Sequence, residues 1–197
     1  MKRNIFIGLD PGKEGFITIY DPINEWYEFI AMPSHKVPSG KKLKSGLDAM
    51  VTEFHKEGMK DLVIHILKNY EGCNFHAVLE EVIGRQGWSA QNNFNFGHTA
   101  GLQMMVLIMI GADIKMVRPI KWQAIMYQGF DKVLVPSSTG KTMVHDTKAT
   151  SKIVAQKLGP EIDFRKTTRS TNLDDNKTDS FLMALYSQLI FKKQNNV

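Results

Sequence analysis

Four acidic residues lie at the ends of apolar segments, where their side chains could act together. Asp10 follows the apolar run of residues 4–9, and Glu80 closes the run AVLE. Asp175 and Asp179 flank the start of the last helical pattern, and a separation of four places both on one helical face. A buried carboxylate is costly unless it is paired or binds a cation, and oxygen ligands suit Mg²⁺ or Mn²⁺. These acids are therefore candidates for a divalent-metal site.

Such a site would suit phosphodiester hydrolysis. Two divalent ions about 4 Å apart can activate a water molecule and stabilise the leaving oxygen. The dipole of the last helix favours the ionised forms of Asp175 and Asp179. Each acid also has a purely structural interpretation, because an Asp before Pro-Gly, as at Asp10, is a common turn residue and Asp175 fits a helix N-cap. The spacing alone leaves open whether the four carboxylates converge.

The elements that must position these acids follow from the hydrophobic pattern. Residues 4–10, 15–20 and 26–32 are predicted to form an antiparallel meander, and residues 33–46 a flexible basic loop. The remaining predicted elements, in order, are a helix over 47–70 interrupted near Gly58, a strand over 75–82, a loop over 83–97, a helix over 99–110, a strand over 114–117, a helix opening at Pro119, a loop over 128–147, and helices over 148–158 and 176–192. This order predicts an α/β fold, a mixed sheet of about five strands flanked by helices.

Composition limits the class of protein. The 197 residues suit a single domain, residues 1–197, and the net charge of +5 with a pI of about 9.2 favours a polyanion such as nucleic acid. A solvated basic surface explains so small an excess equally well. Cys73 is the only cysteine, which excludes a disulfide framework and Cys-based zinc sites. The longest apolar run, residues 102–112, is too short to span a membrane, so we expect a cytoplasmic protein.

Motifs along most of the chain resemble one nuclease family. GLDPG at 8–12, LEEV at 79–82 and DDNKTDSFLMALY at 174–186 resemble, in order, the acidic motifs of RuvC-type Holliday junction resolvases. The intervening residues that are similar to the phage-type branch of this family are Gln86, Gly87, Ser89, Phe96, Gly97, Gly101, Arg118, Pro119 and Trp122. A GxDxG opening alone is shared with other proteins of the same superfold, whereas the middle block is more specific.

The resemblance implies an RNase H-like fold, a homodimer, and paired symmetric nicks across a four-way DNA junction in recombination, repair or phage genome processing. It also implies two Mg²⁺ ions per site, with Mn²⁺ able to substitute, held by Asp10, Glu80, Asp175 and Asp179. Water would attack in line and leave a 5′-phosphate and a 3′-hydroxyl. Two alternatives remain open: an RNase H-like nuclease acting on RNA or RNA–DNA hybrids, and a junction-binding protein that does not cleave.

Two ligand assignments are ambiguous. Glu81 is adjacent to Glu80, and because neighbouring strand residues face opposite ways only one can enter the site. We predict that it is Glu80. The bacterial resolvases space their last two aspartates by three residues, whereas Asp175 and Asp179 are four apart and Asn176 stands at the three-residue position. The fourth ligand is therefore open.

Candidate DNA contacts are mostly basic. The predicted group comprises Lys36, Lys41, Lys42 and Lys44 in the first loop, Arg85, Gln86 and Trp88 after the second acidic motif, Arg118, and Lys148 and Lys152 on a later helix. A solvated surface explains any single lysine equally well. Trp88 would either stack on an unpaired base or pack half-buried, and Trp122 is expected in the core. The apolar helix around residues 102–109 would either form a dimer interface or lie buried within its own domain.

Overall fold

Residues 2–84 and 86–195 are described by the structure, a computed structural model. Its elements in chain order are β1 (Asn4–Leu9), β2 (Phe16–Asp21), β3 (Trp26–Ala31), β4 (Ser34–Lys42), β5 (Asp48–Phe54), α1 (Lys56–Asn69), β6 (Asn74–Glu80), α2 (Ala90–Met109), β7 (Asp113–Val117), α3 (Pro119–Met126), β8 (Leu134–Pro136), β9 (Met143–His145), α4 (Thr147–Leu158) and α5 (Asp175–Asn195). None of the helices in this part of the chain is long and apolar enough to cross a membrane.

Five strands form one mixed sheet in the order β3-β2-β1-β6-β7. β1, β2 and β3 are an antiparallel meander, and β6 and β7 run parallel to β1. With helices on both faces, this is the α/β arrangement that the sequence predicts, a mixed five-stranded sheet flanked by helices, and this fold class is confirmed. The carboxyl ends of β1, β3, β6 and β7 all reach the same edge of the sheet, which we call the carboxyl edge.

The alternation of side chains along β1 divides the core in two. Ile5, Ile7 and Leu9 are buried against α1 and α2 on one face of the sheet. On the other face, α5 packs directly on β1 at Gly8, because a Cβ there would overlap the backbone of Ser180 and Ala184. This close approach delivers the first turn of α5 to the carboxyl edge.

The structure differs from the prediction between residues 33 and 54. β4 and β5 pair as an antiparallel hairpin, so the predicted basic loop and the first part of the predicted helix over 47–70 were wrong. The apolar residues at 47, 50, 51 and 54 fit a helical period, but the segment pairs with β4 as a strand, so tertiary pairing overrides that local pattern. The helix begins only at Lys56, where the His55 ring accepts a hydrogen bond from Gly58 N at 3.0 Å.

Two smaller differences concern polar segments. The predicted loop over 128–147 contains the hairpin of β8 and β9. α2 begins at Ala90 rather than at Thr99, because Ser89 caps it by accepting a hydrogen bond from Asn92 N at 3.1 Å. The first turns of α2 are largely exposed, so they carry no apolar stripe for the pattern to detect. Pro119 opens α3 as predicted.

Candidate active site

Asp10 and Glu80 are neighbours on the carboxyl edge. β1 pairs in parallel with β6, and the last pair in register is Leu9 with Leu79, so the next residue on each strand is one of these acids. Side chains alternate, which places both acids on the face covered by α5. Burial raises the pKa of the Asp10 carboxyl well above its usual range, and the nearby charges of Asp179 and Glu80 raise it further.

Asp179 faces this pair from α5. Protein atoms surround its carboxyl group, and Oδ1 is buried with no hydrogen-bond partner within residues 2–84 and 86–195. Burial raises the pKa of Asp179 to about 7, a hydrogen bond from Ser151 opposes that rise, and the charges of Glu80 and Asp175 add to it. The fold therefore brings three acids close enough for their charges to interact.

Asp175 is held differently, at the partly exposed rim of the site. Its carboxylate accepts hydrogen bonds from Lys148 Nζ at 3.0 Å and Lys152 Nζ at 2.5 Å. Burial acts to raise the pKa of Asp175, but the bonds from Lys152 and Lys148 outweigh it and lower the pKa. Asp175 is not the N-cap of α5, because Asp174 accepts the capping hydrogen bond from Lys177 N at 3.0 Å.

Glu81 and Asn176, the two alternative ligands, make contacts outside the acidic cluster. Glu80 Oε2 accepts a hydrogen bond from Trp122 Nε1 at 3.2 Å, whereas Glu81 Oε2 accepts one from Arg118 Nε at 3.2 Å outside the acidic cluster. Asn176 donates its amide to the backbone oxygen of Glu14 at 3.1 Å. The geometry therefore favours Glu80 over Glu81 and Asp179 over Asn176 as members of the cluster.

Sequence patterns missed the residues that support these acids. Trp122 was expected in the core and is fully buried there, but its bond to Glu80 was not anticipated. Ser151, buried on α4, hydrogen-bonds to Asp179 and lies 2.6 Å from the hydroxyl of Tyr127. No local pattern indicates such contacts, because their partners are more than a full element away in the chain.

The cluster matches a hard divalent cation in chemistry and charge. Its donors are all carboxylate oxygens, one of them an unpartnered buried atom on Asp179, and neighbouring acids raise the pKa values of Asp10 and Asp179. Yet across the described ranges no group of three or more His, Cys, Asp or Glu side chains is already arranged to hold a metal ion.

The predicted DNA contacts have mixed surroundings. Lys36 pairs with Glu14 at 3.2 Å, and Lys42 pairs with Asp48 at 2.8 Å, so acids outside the predicted loop neutralise part of its charge. Lys41 and Lys44 have no ion-pair partner among the residues that the structure describes.

The other predicted contacts lie near the start of α2 and α3. Gln86 and Trp88 are exposed, and the Trp88 ring meets that of Phe96 edge-on at 5.7 Å between centroids. Arg118 is exposed and paired with Glu81. Arg85 lies outside the described residues.

Solved structures with a similar overall arrangement include two of Thermus thermophilus RuvC. One is 12% identical, with a TM-score of 0.47, covering 97% of this chain and 96% of that one. The other, RuvC in complex with a Holliday junction substrate, is 9% identical, with a TM-score of 0.48 and 96% of each chain covered. No family model and no curated protein matches this chain. At these sequence identities and TM-scores, the similarity says nothing about the activity of this chain.

Proposed function

We propose that this chain is a metal-dependent endodeoxyribonuclease that resolves four-way DNA junctions by paired, symmetric nicks. The observation that carries the proposal is the clustering of Asp10, Glu80 and Asp179 at the carboxyl edge of an RNase H-like sheet. Their carboxylates repel one another, and a bound divalent cation would relieve that repulsion. The order of the acidic motifs and of the block between them supports a branched DNA substrate.

Asp10, Glu80, Asp175 and Asp179 would hold the cations, two Mg²⁺ ions per site with Mn²⁺ able to substitute. When bound, such ions supply an activated water and stabilise the leaving oxygen of a phosphodiester. Trp122 orients the Glu80 carboxylate through its indole N–H. Lys148 and Lys152 keep two ammonium groups beside Asp175, where an approaching phosphate backbone would meet positive charge.

A homodimer would supply the two sites that symmetric nicking needs. Val106 and Leu107 of α2 are buried in the core, whereas Met105, Ile108 and Met109 on the same helix are exposed. An exposed apolar strip beside the buried side chains of the same helix is suited to burial against a second copy of the chain. Two-fold symmetry of the pair would match that of a four-way junction.

The test is cleavage of a labelled synthetic four-way junction, with a linear duplex and an RNA–DNA hybrid of the same sequence as controls. Reactions contain Mg²⁺ or EDTA and compare the unaltered chain with Asp10→Asn and with Asp61→Asn, an exposed acid on α1. We expect paired nicks that EDTA and Asp10→Asn abolish and Asp61→Asn leaves unchanged. Preferential cutting of the hybrid would identify a ribonuclease, and tight junction binding without cuts in Mg²⁺ or Mn²⁺ would identify a binding protein.

A further inference from the structure

The hairpin of β4 and β5 follows β3 at the carboxyl edge, the same edge that carries the acidic cluster. In register, the end of β1 at Leu9 meets Ile17, and the start of β2 at Phe16 meets the end of β3 at Ala31. β3 therefore ends on the carboxyl edge, and the hairpin begins there at Ser34. Its strands pair only with each other among the described strands, and every residue from 40 to 48 is exposed. The distal half of the hairpin thus extends away from the domain.

The base of the hairpin is hydrogen-bonded to the turn between β1 and β2, which begins at Asp10. Glu14 lies in that turn and accepts hydrogen bonds from Lys36 Nζ at 3.2 Å and Thr52 Oγ1 at 3.3 Å, one from each strand. Lys166 Nζ approaches the other oxygen of Glu14 at 3.4 Å. Each contact is exposed and individually weak, but together they set the direction of the hairpin relative to the acids.

The tip of the hairpin, residues 41–47, is closed by a hydrogen-bonded turn. Leu43 N donates to Leu47 O at 2.8 Å, and Gly46 N donates to Leu43 O at 2.9 Å. Gly46 has a φ of 83°, the left-handed conformation that closes a three-residue hairpin turn. Leu43 and Leu47 therefore face each other across the strands, on the same side of the hairpin. Their exposed fractions are 51% and 68%, although nothing in the turn geometry requires leucine at either position.

The charge around these leucines has one sign. Lys42 is neutralised by Asp48, and strand alternation places that pair on the face opposite Leu43 and Leu47. Lys41 and Lys44, which flank Leu43, have no ion-pair partner in the described part of the chain. The tip therefore combines a small apolar surface with two positive charges that have no ion-pair partner among the described residues.

We propose that this tip contacts the branch point of the DNA substrate, with Lys41 and Lys44 on backbone phosphates and Leu43 and Leu47 against exposed base faces. Base faces are hidden within a stacked duplex and become accessible where stacking is interrupted, which suits a leucine pair flanked by lysines. A second copy of this chain is a poorer partner for the tip than DNA, because the tip is positively charged and the chain carries a net charge of +5. This inference rests on the proposed function.

The experiment measures binding in EDTA, so that no cleavage is needed. The DNA is a four-way junction with 2-aminopurine at the branch point or within an arm, and a linear duplex with the same label. The variants are Leu43→Ser/Leu47→Ser and Lys41→Ala/Lys44→Ala. Their controls are Ile23→Ser, 69% exposed in the β2–β3 turn on the opposite edge, and Lys68→Ala in the last turn of α1.

The unaltered chain should raise 2-aminopurine emission at the branch point and not within the arm. Leu43→Ser/Leu47→Ser should abolish that rise and weaken junction binding about tenfold while leaving duplex binding unchanged. Lys41→Ala/Lys44→Ala should weaken binding to both DNAs and reduce its salt dependence. Both controls should behave as the unaltered chain, and equal melting temperatures would show that the variants fold.

Distinct results would overturn the inference. Preferential junction binding and unchanged emission in Leu43→Ser/Leu47→Ser would exclude the tip and leave the proposed function intact. Dissociation of a dimer by the same substitutions, measured by sedimentation, would make the tip a contact between copies. An unaltered chain with no preference for the junction would overturn the proposed function, and this inference with it.

Discussion

The indole Nε1 of Trp122 donates a hydrogen bond to Glu80 Oε2 at 3.2 Å, and it does so from a fully buried position. Trp122 lies on α3, which Pro119 opens directly after β7. Val117, the last residue of β7, pairs with Glu80 of β6. α3 begins two residues later, so its first turn places the Trp122 indole next to the Glu80 carboxylate. A core residue thereby orients a carboxylate of the proposed catalytic site.

Trp122→Phe removes the N–H donor and keeps an aromatic ring in the core. Because a hydrogen bond to a charged group contributes about 1.5–3 kcal/mol, we expect junction cleavage to fall about tenfold or more. Trp26→Phe, at the exposed start of β3, is the matched control and should cleave normally. Cleavage by Trp122→Phe at the unaltered rate, measured under single-turnover conditions, would show that the indole does not orient Glu80.

Gly8→Ala tests the contact between β1 and α5. The new Cβ would overlap the backbone of Ser180 and Ala184, which cannot move aside as a flexible side chain can. We expect the free energy of unfolding in urea to fall by about 3 kcal/mol or more. Gly101→Ala, on α2 with open space around it, should instead be neutral or stabilise by about 0.5–1 kcal/mol. Equal stability of the two variants would contradict the direct packing of α5 on β1.

The stability of the metal-free protein should depend on Asp179. Its pKa is raised from 3.8 to about 7 by burial and neighbouring negative charge. The stabilisation from protonating the folded state is complete below the unfolded value and is lost as pH rises through about 7. In EDTA we therefore expect the melting temperature to fall between pH 6 and pH 8, and Mg²⁺ to restore part of it at pH 8.

The dependence on pH can be assigned with two substitutions. Asp179→Asn removes the titrating group and should flatten the change in melting temperature between pH 6 and pH 8. Asp61→Asn, on the exposed face of α1, should retain the full change. A steep fall that persists in Asp179→Asn would assign the effect to another group, of which Asp10 is the first candidate.

Ile108→Glu tests the proposed dimer interface on α2. A carboxylate at the centre of an apolar interface is costly to bury, so we expect a dimer to dissociate, with the mass measured by sedimentation equilibrium. Ile64→Glu on α1 is matched in exposure, 51% against 50%, and should leave the mass unchanged. A dimer that survives Ile108→Glu would place the interface elsewhere, and a monomeric unaltered chain would remove the dimer from the proposal.

Prediction from sequence succeeded where the signal was local. β1, β6 and α5 have apolar runs of clear period, each adjoining an acid, and all three elements form within a few residues of the predicted bounds. It failed where a segment with a helical apolar pattern pairs as a strand, as over residues 47–54, and where a helix has no apolar face, as at the start of α2. The roles of Asp10, Glu80, Asp175 and Asp179 stay predictions, although the structure places three of them together.

The sequence by itself determined the class of the sheet and the acids at its carboxyl edge, because alternation and helical spacing depend only on near neighbours in the chain. Only the tertiary structure decided which groups those acids meet. Trp122 reaches Glu80 and Ser151 reaches Asp179 across long stretches of chain. The pairing of β4 with β5 likewise makes a predicted basic loop an antiparallel hairpin. Such contacts depend on which distant surfaces the packed core brings together, and no local pattern encodes them.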